Sequence, residues 1–244
     1  MPKRKEQFEN GEIYHITIRR IGDNLLFKDI NDYFRGIFSI YEFNNLNFVE
    51  IRRRREERKH WKEKYRGDPV SAIIEETDKR EKMVEVLAFC LMPNHMHLLI
   101  KQTTNNGISK FMQKIGAGYS AYFREKYKLQ NKGYFFQSRF KAVYIENDEQ
   151  LKTVFVYIHT NPIALIEPGW KENGIKNLEK AIEFLESYKW SSYQDYLGKK
   201  NFPSVTERDF LLEIMGREKG CKDFIDNWAQ YKSEVTNFNN LALE

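Results

Sequence analysis

Two histidines sit two residues apart in the run Met92-Pro93-Asn94-His95-Met96-His97-Leu98-Leu99-Ile100. Side chains at i and i+2 of a β-strand point to the same face. His95 and His97 therefore present two imidazoles side by side, while Met96 and Leu98 turn into the core. Two neutral imidazoles at this spacing can hold one divalent cation. The plain alternative is two unrelated surface histidines. The chain has only five histidines, so a same-face pair in so apolar a strand favours the metal.

Two ligands do not complete a site, and a third can come from the helix expected to end before Pro162. Tyr157 and Asn161 are four residues apart, which puts them on one helical face. That face also carries Gln150 and Thr153 and lies off the apolar stripe of Leu151, Val154, Phe155 and Ile158. Tyrosine is a poor nucleophile near its free pKa of about 10. A cation that neutralises a phosphate and stabilises developing charge allows it to attack. Most of the 14 tyrosines must be packing residues, so Tyr157 is singled out by its neighbours rather than by its type.

The stretch 101–144 has nine basic side chains, one acidic one and ten aromatics. Basic residues neutralise phosphates and aromatics stack on unpaired bases, so Lys110, Lys114, Arg124, Arg139 and Lys141 are candidate DNA-backbone contacts. Several of the aromatics, among them Tyr119 and Tyr122, recur at helical spacing and belong to a core. A second basic run, Arg52-Arg53-Arg54-Arg55 with Arg58, Lys59, Lys62, Lys64 and Arg66, is diluted by Glu56, Glu57 and Glu63. It reads as an exposed arm or as a helix laced by i,i+4 charge pairs.

These residues need elements to position them. A first strand is expected over Glu12 to Arg20, where Ile13, His15, Thr17 and Arg19 alternate with Tyr14, Ile16 and Ile18. Asp29 to Phe43 has a helical apolar face of Ile30, Tyr33, Phe34, Ile37 and Ile40. Met83 to Met92 is a buried strand, and His95 to Lys101 continues as strand after a kink at Pro93-Asn94. A second helix runs from about Ile108 to Lys128. Tyr134 to Glu146 is a strand with an irregular start, and a third helix is N-capped by Asn147 or Asp148. The order strand, helix, strand, strand, helix, strand, helix matches an α+β fold: a ferredoxin-like split βαβ sandwich, an antiparallel sheet with helices on one face. Residues 1–163 form this core, with 52–82 as a charged insertion. Residues 164–244 form a C-terminal helical extension, with helices near Glu207 to Met215 and Cys221 to Tyr231.

At 244 residues, two fifths of them hydrophobic, the chain can build a substantial core. No apolar run approaches the ~20 residues that span a bilayer, and Met1 to Asn10 lacks a signal-peptide core. Cys90 and Cys221 are too few for a disulfide framework or a cysteine zinc site and fit a reducing cytoplasm. Residues 205–244 hold eight acidic and five basic side chains, which leaves about +8 of the net charge of +5 on residues 1–204. A basic body suits a polyanionic partner. The acidic end has no histidine and is expected to pack on the core, mediate self-association or gate a groove. Its removal beyond about Asn201 is expected to leave a soluble protein.

Four ordered motifs now stand together: MPNHMHLLI; Phe136-Gln137-Ser138-Arg139-Phe140-Lys141; Tyr157-Ile158-His159-Thr160-Asn161-Pro162; and Trp190-Ser191-Ser192-Tyr193. Over roughly Glu12 to Tyr196 the chain resembles the REP-associated tyrosine transposases, relatives of the IS200-like single-tyrosine HUH transposases. The resemblance implies that His95 and His97 bind a divalent metal, Mg2+ or Mn2+, with Asn161 as third ligand where some relatives have glutamine. It implies that Tyr157 attacks single-stranded or hairpin DNA to leave a 5′-phosphotyrosine link and a free 3′-hydroxyl. Relatives include monomers and homodimers, and no membrane partner is expected. His159 points to another helix face and is read as structural. Two rivals remain: a non-catalytic nucleic-acid-binding module on the same fold, and a metal-dependent hydrolase that uses water and does not need Tyr157.

Overall fold

The computed structural model describes residues 7–64, 78, 80–130, 133–137 and 139–241. Arg66 of the basic run and Ser138 of the second motif lie outside them, as do the side chains of Arg55, Arg58, Lys62 and Lys64. Strand β1 (Ile13–Arg19) leads to helix α1 (Ile30–Glu42), which starts where the Asp29 carboxylate accepts hydrogen bonds from the Asn31 and Asp32 N–H groups. The charged helix α2 (Ile51–Lys64) follows, then β2 (Val84–Met92), β3 (His95–Gln102), α3 (Gly107–Lys126) and β4 (Lys141–Tyr144). Helix α4 (Asp148–Thr160) begins at Asn147, whose side chain accepts from Gln150 N–H.

The strands form one antiparallel sheet in the order β2-β3-β1-β4. With α1 and α3 as its crossovers this is the expected ferredoxin-like split βαβ sandwich. Pro93-Asn94 is the two-residue turn of the β2–β3 hairpin rather than a kink in one strand. Its Pro93 carbonyl accepts from Leu26 N–H and Phe27 N–H at 2.6 and 3.0 Å, which anchors the turn to the approach to α1. Among the described residues of the 134–146 stretch, Lys141–Tyr144 pair as strand, preceded by an isolated Arg20–Phe136 bridge.

Strand parity divides the core in two. Tyr14, Ile16, Ile18, Met96, Leu98 and Ile100 pack with α1 and α3 on one face. On the other, Leu99 and Cys90 pack with Leu151, Phe155 and Ile158 of α4 and with the extension. A bulge between Val86 and Ala88 reverses the parity of β2, so that Val86 faces α3 while Ala88 and Cys90 face α4.

The extension comprises α5 (Trp170–Asn173), α6 (Leu178–Ser187), α7 (Tyr193–Tyr196), α8 (Asp209–Met215) and α9 (Arg217–Leu241). It covers the outer edge of β2, which would otherwise expose unpaired backbone groups. Leu91 N–H donates to Trp190 O, Ser192 N–H to Phe89 O, and the Tyr188 and Tyr196 hydroxyls to Leu91 O and Leu87 O. The WSSY motif is therefore the clasp between extension and sheet. His159 joins it: its Nε2 lies 2.8 Å from Ser192 Oγ and its Nδ1 2.9 Å from Phe155 O, and burial pushes its pKa down to about 3. On α2, Arg52–Glu56 and Arg53–Glu57 form i,i+4 ion pairs and Arg54 reaches Glu42 of α1, so the laced-helix reading describes this run. No helix among the described residues is long and apolar enough to cross a membrane.

Candidate active site

The face of β1 and β3 opposite α1 and α3 is left open beside α4, and a cleft of about 600 Å³ forms there. The antiparallel register puts Thr17 across from His97 and Arg19 across from His95. Both histidines of β3 are buried, at 9% and 3% exposure. Their Nε2 atoms stand 3.0 Å apart. Two nitrogens bound at right angles to one ion with bonds of about 2.1 Å stand about 3.0 Å apart, so the pair is spaced as adjacent ligands would be.

The opposite ring nitrogens have their own partners. His95 Nδ1 lies 2.6 Å from Asn94 Oδ1, an acceptor that favours the tautomer with its proton on Nδ1 and its lone pair on Nε2. His97 Nδ1 lies 3.0 Å from His15 Nε2 and 3.2 Å from Thr17 Oγ1. Without a cation, His97 Nε2–H donates to His95, and Nδ1 accepts. With one, the proton sits on Nδ1, and Thr17 Oγ1 or His15 Nε2 accepts it. A hydroxyl and an imidazole can play either role, so these partners suit both states. Burial lowers the His97 pKa well below its usual value, with help from His95, His15, Lys171 and Arg19; burial lowers His15 to about 4. Neutral imidazoles are the form that binds metal.

Helix α4 supplies the other wall. Its apolar stripe docks as expected, which leaves Tyr157 38% exposed at the margin. The Tyr157 ring packs edge-on against His97 at 5.4 Å and His15 at 5.7 Å between centroids. Asn161, one turn on, is buried; its Nδ2 donates to Tyr157 O at 2.6 Å. Its Oδ1, the atom that would serve a cation, accepts from Lys171 Nζ at 3.0 Å. Among the described residues no three His, Cys, Asp or Glu side chains form a metal set. The histidine pair fits a cation in spacing, tautomer and charge state, and an amide oxygen is the available third donor type.

The sequence-predicted residues divide. His95, His97, Tyr157, Asn161, Arg139 and Lys141 all line this one cleft. Lys110, Lys114 and Arg124 do not; they are carried by α3, across the sheet. Lys114 Nζ hydrogen-bonds the carbonyls of Asn45, Leu46 and Asn47, and the Arg124 guanidinium bonds Gly133 O. His15, Thr17 and Lys171 are site residues that the sequence reading did not assign. Alternation in β1 had set His15 and Thr17 on one face. No local pattern marks Lys171.

The sheet and its crossover helices define a ferredoxin-like fold, with the histidine pair and the helix-borne tyrosine at one cleft on its open face. The family model described as "Transposase IS200 like" matches residues 42–161, which include His95, His97, Tyr157 and Asn161. Over that segment, just under half of its length, the chain is similar to the IS200-like transposases. Among solved structures it is similar to a REP-associated tyrosine transposase bound to a REP hairpin (15% identity, 86% of this chain and 93% of that one, TM-score 0.46). It is also similar to a bacterial tRNA(His) guanylyltransferase (Thg1)-like protein in complex with ATP (11% identity, 76% and 71%, TM-score 0.36). Similarities of this depth say nothing of activity. No curated protein gives a significant match.

Proposed function

We propose that the protein nicks and rejoins single-stranded or hairpin DNA, with Tyr157 as the nucleophile. The observation that carries this is the packing of the Tyr157 ring on His97 at the edge of the cleft that holds the histidine pair. In the cleavage step Tyr157 Oη forms a bond to phosphorus as its proton passes to water at the open mouth. The bond from phosphorus to the 3′ oxygen breaks, and that oxygen leaves with the electron pair and takes up a proton from water. The products are a 5′-phosphotyrosine link and a 3′-hydroxyl. Rejoining is the same step in reverse.

His95, His97 and Asn161 would hold a divalent cation, Mg2+ or Mn2+. When bound, it would draw charge off the phosphate oxygens and orient the phosphodiester. Arg139 and Lys141 sit where they can neutralise neighbouring phosphates. Lys110, Lys114 and Arg124 would be reached only by DNA that runs past the sheet edge to α3. Residues 1–163 carry the chemistry and 164–244 support it, in a monomer or homodimer. The two buried, unpaired cysteines suit the cytoplasm.

The test is to trap the covalent complex. The protein is incubated with single-stranded hairpin oligonucleotides and Mg2+ or Mn2+, denatured, and mapped by mass spectrometry. A DNA-linked peptide containing Tyr157 is expected. An adduct on Tyr134 or Tyr144 would move the nucleophile, and none with any DNA and either metal would overturn the class.

A further inference from the structure

Beyond the family-matched segment, the extension brings Trp170, Lys171 and Glu172 to the cleft, and Lys171 meets the tyrosine. Lys171 Nζ lies 3.5 Å from the Tyr157 hydroxyl and 4.5 Å from the centroid of its ring, besides the bond to Asn161 Oδ1. Among the described residues no carboxylate forms an ion pair with it. Glu172 lines the same cleft without pairing to it, so Lys171, held over the tyrosine by Asn161 Oδ1, keeps a donor for an anion that enters there.

Its position is built, not incidental. Helix α5 has four residues, too few to hold itself, and it is fixed by Trp170, which is 3% exposed and packs edge-on against Trp228 of α9 at 5.1 Å. Gly169 enters the helix with φ of 81°, a left-handed conformation that glycine adopts at little cost. The Lys171 carbonyl accepts from Lys232 Nζ. Trp170 is itself among the residues lining the cleft, and its buried indole N–H has no hydrogen-bond partner among the described residues.

Taking Tyr157 as the nucleophile, we infer that Lys171 holds the phosphate under attack and is the charge that stabilises the tyrosine oxygen when it leaves during rejoining. A phosphorus at attack distance, about 3–3.5 Å from Tyr157 Oη, carries its non-bridging oxygens into reach of Nζ. Charge grows on those oxygens in the transition state and on Tyr157 Oη in the reverse step. A positive group at a fixed place beside both lowers both barriers. The extension thus completes a site whose other parts belong to the core.

The test uses the full chain. Adduct formation at saturating hairpin DNA is timed for wild type, Lys171→Met and Lys171→Arg. Binding is measured against salt in Tyr157→Phe and Tyr157→Phe/Lys171→Met, where no cleavage intervenes. Mn2+ affinity is titrated for all. Lys171→Met is expected to slow adduct formation about 100-fold and to reduce the salt slope by about 0.7, one phosphate contact on a single strand. Its Mn2+ affinity is expected to be no weaker than wild type, and Lys171→Arg to keep most of the rate. A wild-type rate and slope in Lys171→Met overturns the inference and leaves Tyr157 standing, as does a rate loss that merely follows weakened Mn2+ binding. If wild type forms no adduct, the Tyr157 reading has failed, and an unchanged salt slope would then remove the phosphate contact as well.

Discussion

His97 Nδ1 and His15 Nε2 stand 3.0 Å apart, so the histidine of β1 lies directly behind one of the two imidazoles of β3. A ring that gives Nε2 to a cation must keep its proton on Nδ1, and a good acceptor there fixes the tautomer and raises the basicity of the ligand. His15→Ala should therefore weaken Mn2+ binding by about 10-fold, at the low end of the usual 10–100-fold range, because Thr17 Oγ1 remains as a second acceptor at 3.2 Å. His15→Ala/Thr17→Val should reach the upper end. His15→Gln, which keeps an acceptor, should bind nearly as wild type. Calorimetric titration measures all three, and equal affinities across the series would remove His15 from the site.

The histidine pair itself should be indispensable to the cation and dispensable to the fold. His95→Ala or His97→Ala should abolish measurable Mn2+ binding and DNA cleavage. Thermal unfolding should move by only a few degrees, because both side chains face the cleft rather than the apolar core. Cleavage by the double variant at the wild-type rate would show that the chemistry does not pass through this pair.

How far the sequence foretold this site depends on the distance over which each part was determined. The His95–His97 pair follows from strand parity, and Tyr157 with Asn161 from helical periodicity; both are local rules. The Tyr157 margin followed from the apolar stripe of its own helix. His15 stood in the alternation of β1, but its meeting with His97 needs the β1–β3 register, which pairs residues about 80 positions apart. Lys171 depends on Trp170 meeting Trp228, a contact that no window of the sequence contains. The basic stretch 101–144 misled in part because charge density says nothing of facing: α3 carries its lysines on the far side of the sheet from the cleft. The bulge in β2 was likewise hidden, since an unbroken apolar run looks the same with or without a change of parity.

DNA binding should weaken steeply with salt, and the residues of the cleft should account for part of the slope. Arg139→Gln and Lys141→Gln should each lower the log–log slope by about 0.7 on single-stranded DNA. Lys110→Gln and Lys114→Gln should change it less for short oligonucleotides confined to the cleft. Binding isotherms between low and physiological salt decide this. Equal slopes for all four variants would mean that DNA does not lie in the cleft.

Away from the site, Asp32 ties α1 to α3. Burial alone would raise its pKa, but hydrogen bonds from Lys126, Tyr127, the Lys28 N–H and Tyr122 hold the carboxyl below its usual value. The folded state thus favours the ionised form. That contribution is complete above the unfolded pKa of about 3.9 and is lost as pH falls through the lower folded value. Asp32→Asn should cost about 3 kcal/mol at pH 7 and much less near pH 2. Urea melts at the two pH values test this, and a penalty independent of pH would place the loss in packing instead.

The last prediction concerns the extension and replaces an expectation drawn from sequence. A cut at Asn201 was expected to leave a soluble protein. Yet Leu211, Met215, Cys221, Ile225 and Ala229 are buried in the same cluster as Leu151, Phe155 and Ile158 of the tyrosine helix. Burial of a large apolar side chain contributes about 1.5–3 kcal/mol, and whole domains are stable by about 5–15 kcal/mol. Removing several at once should leave an aggregating or unfolded chain. A milder change separates support from collapse. Trp228→Ala removes the edge-on partner of Trp170 and should lower the melting temperature by several degrees. Because Trp170 fixes Lys171, it should also slow adduct formation while Mn2+ binding stays near wild type. Tyr231→Ser, three residues on and 62% exposed, should change neither. A chain ending at Asn201 that melts cooperatively and binds Mn2+ as wild type would show that the extension is a separate appendage rather than a wall of the site.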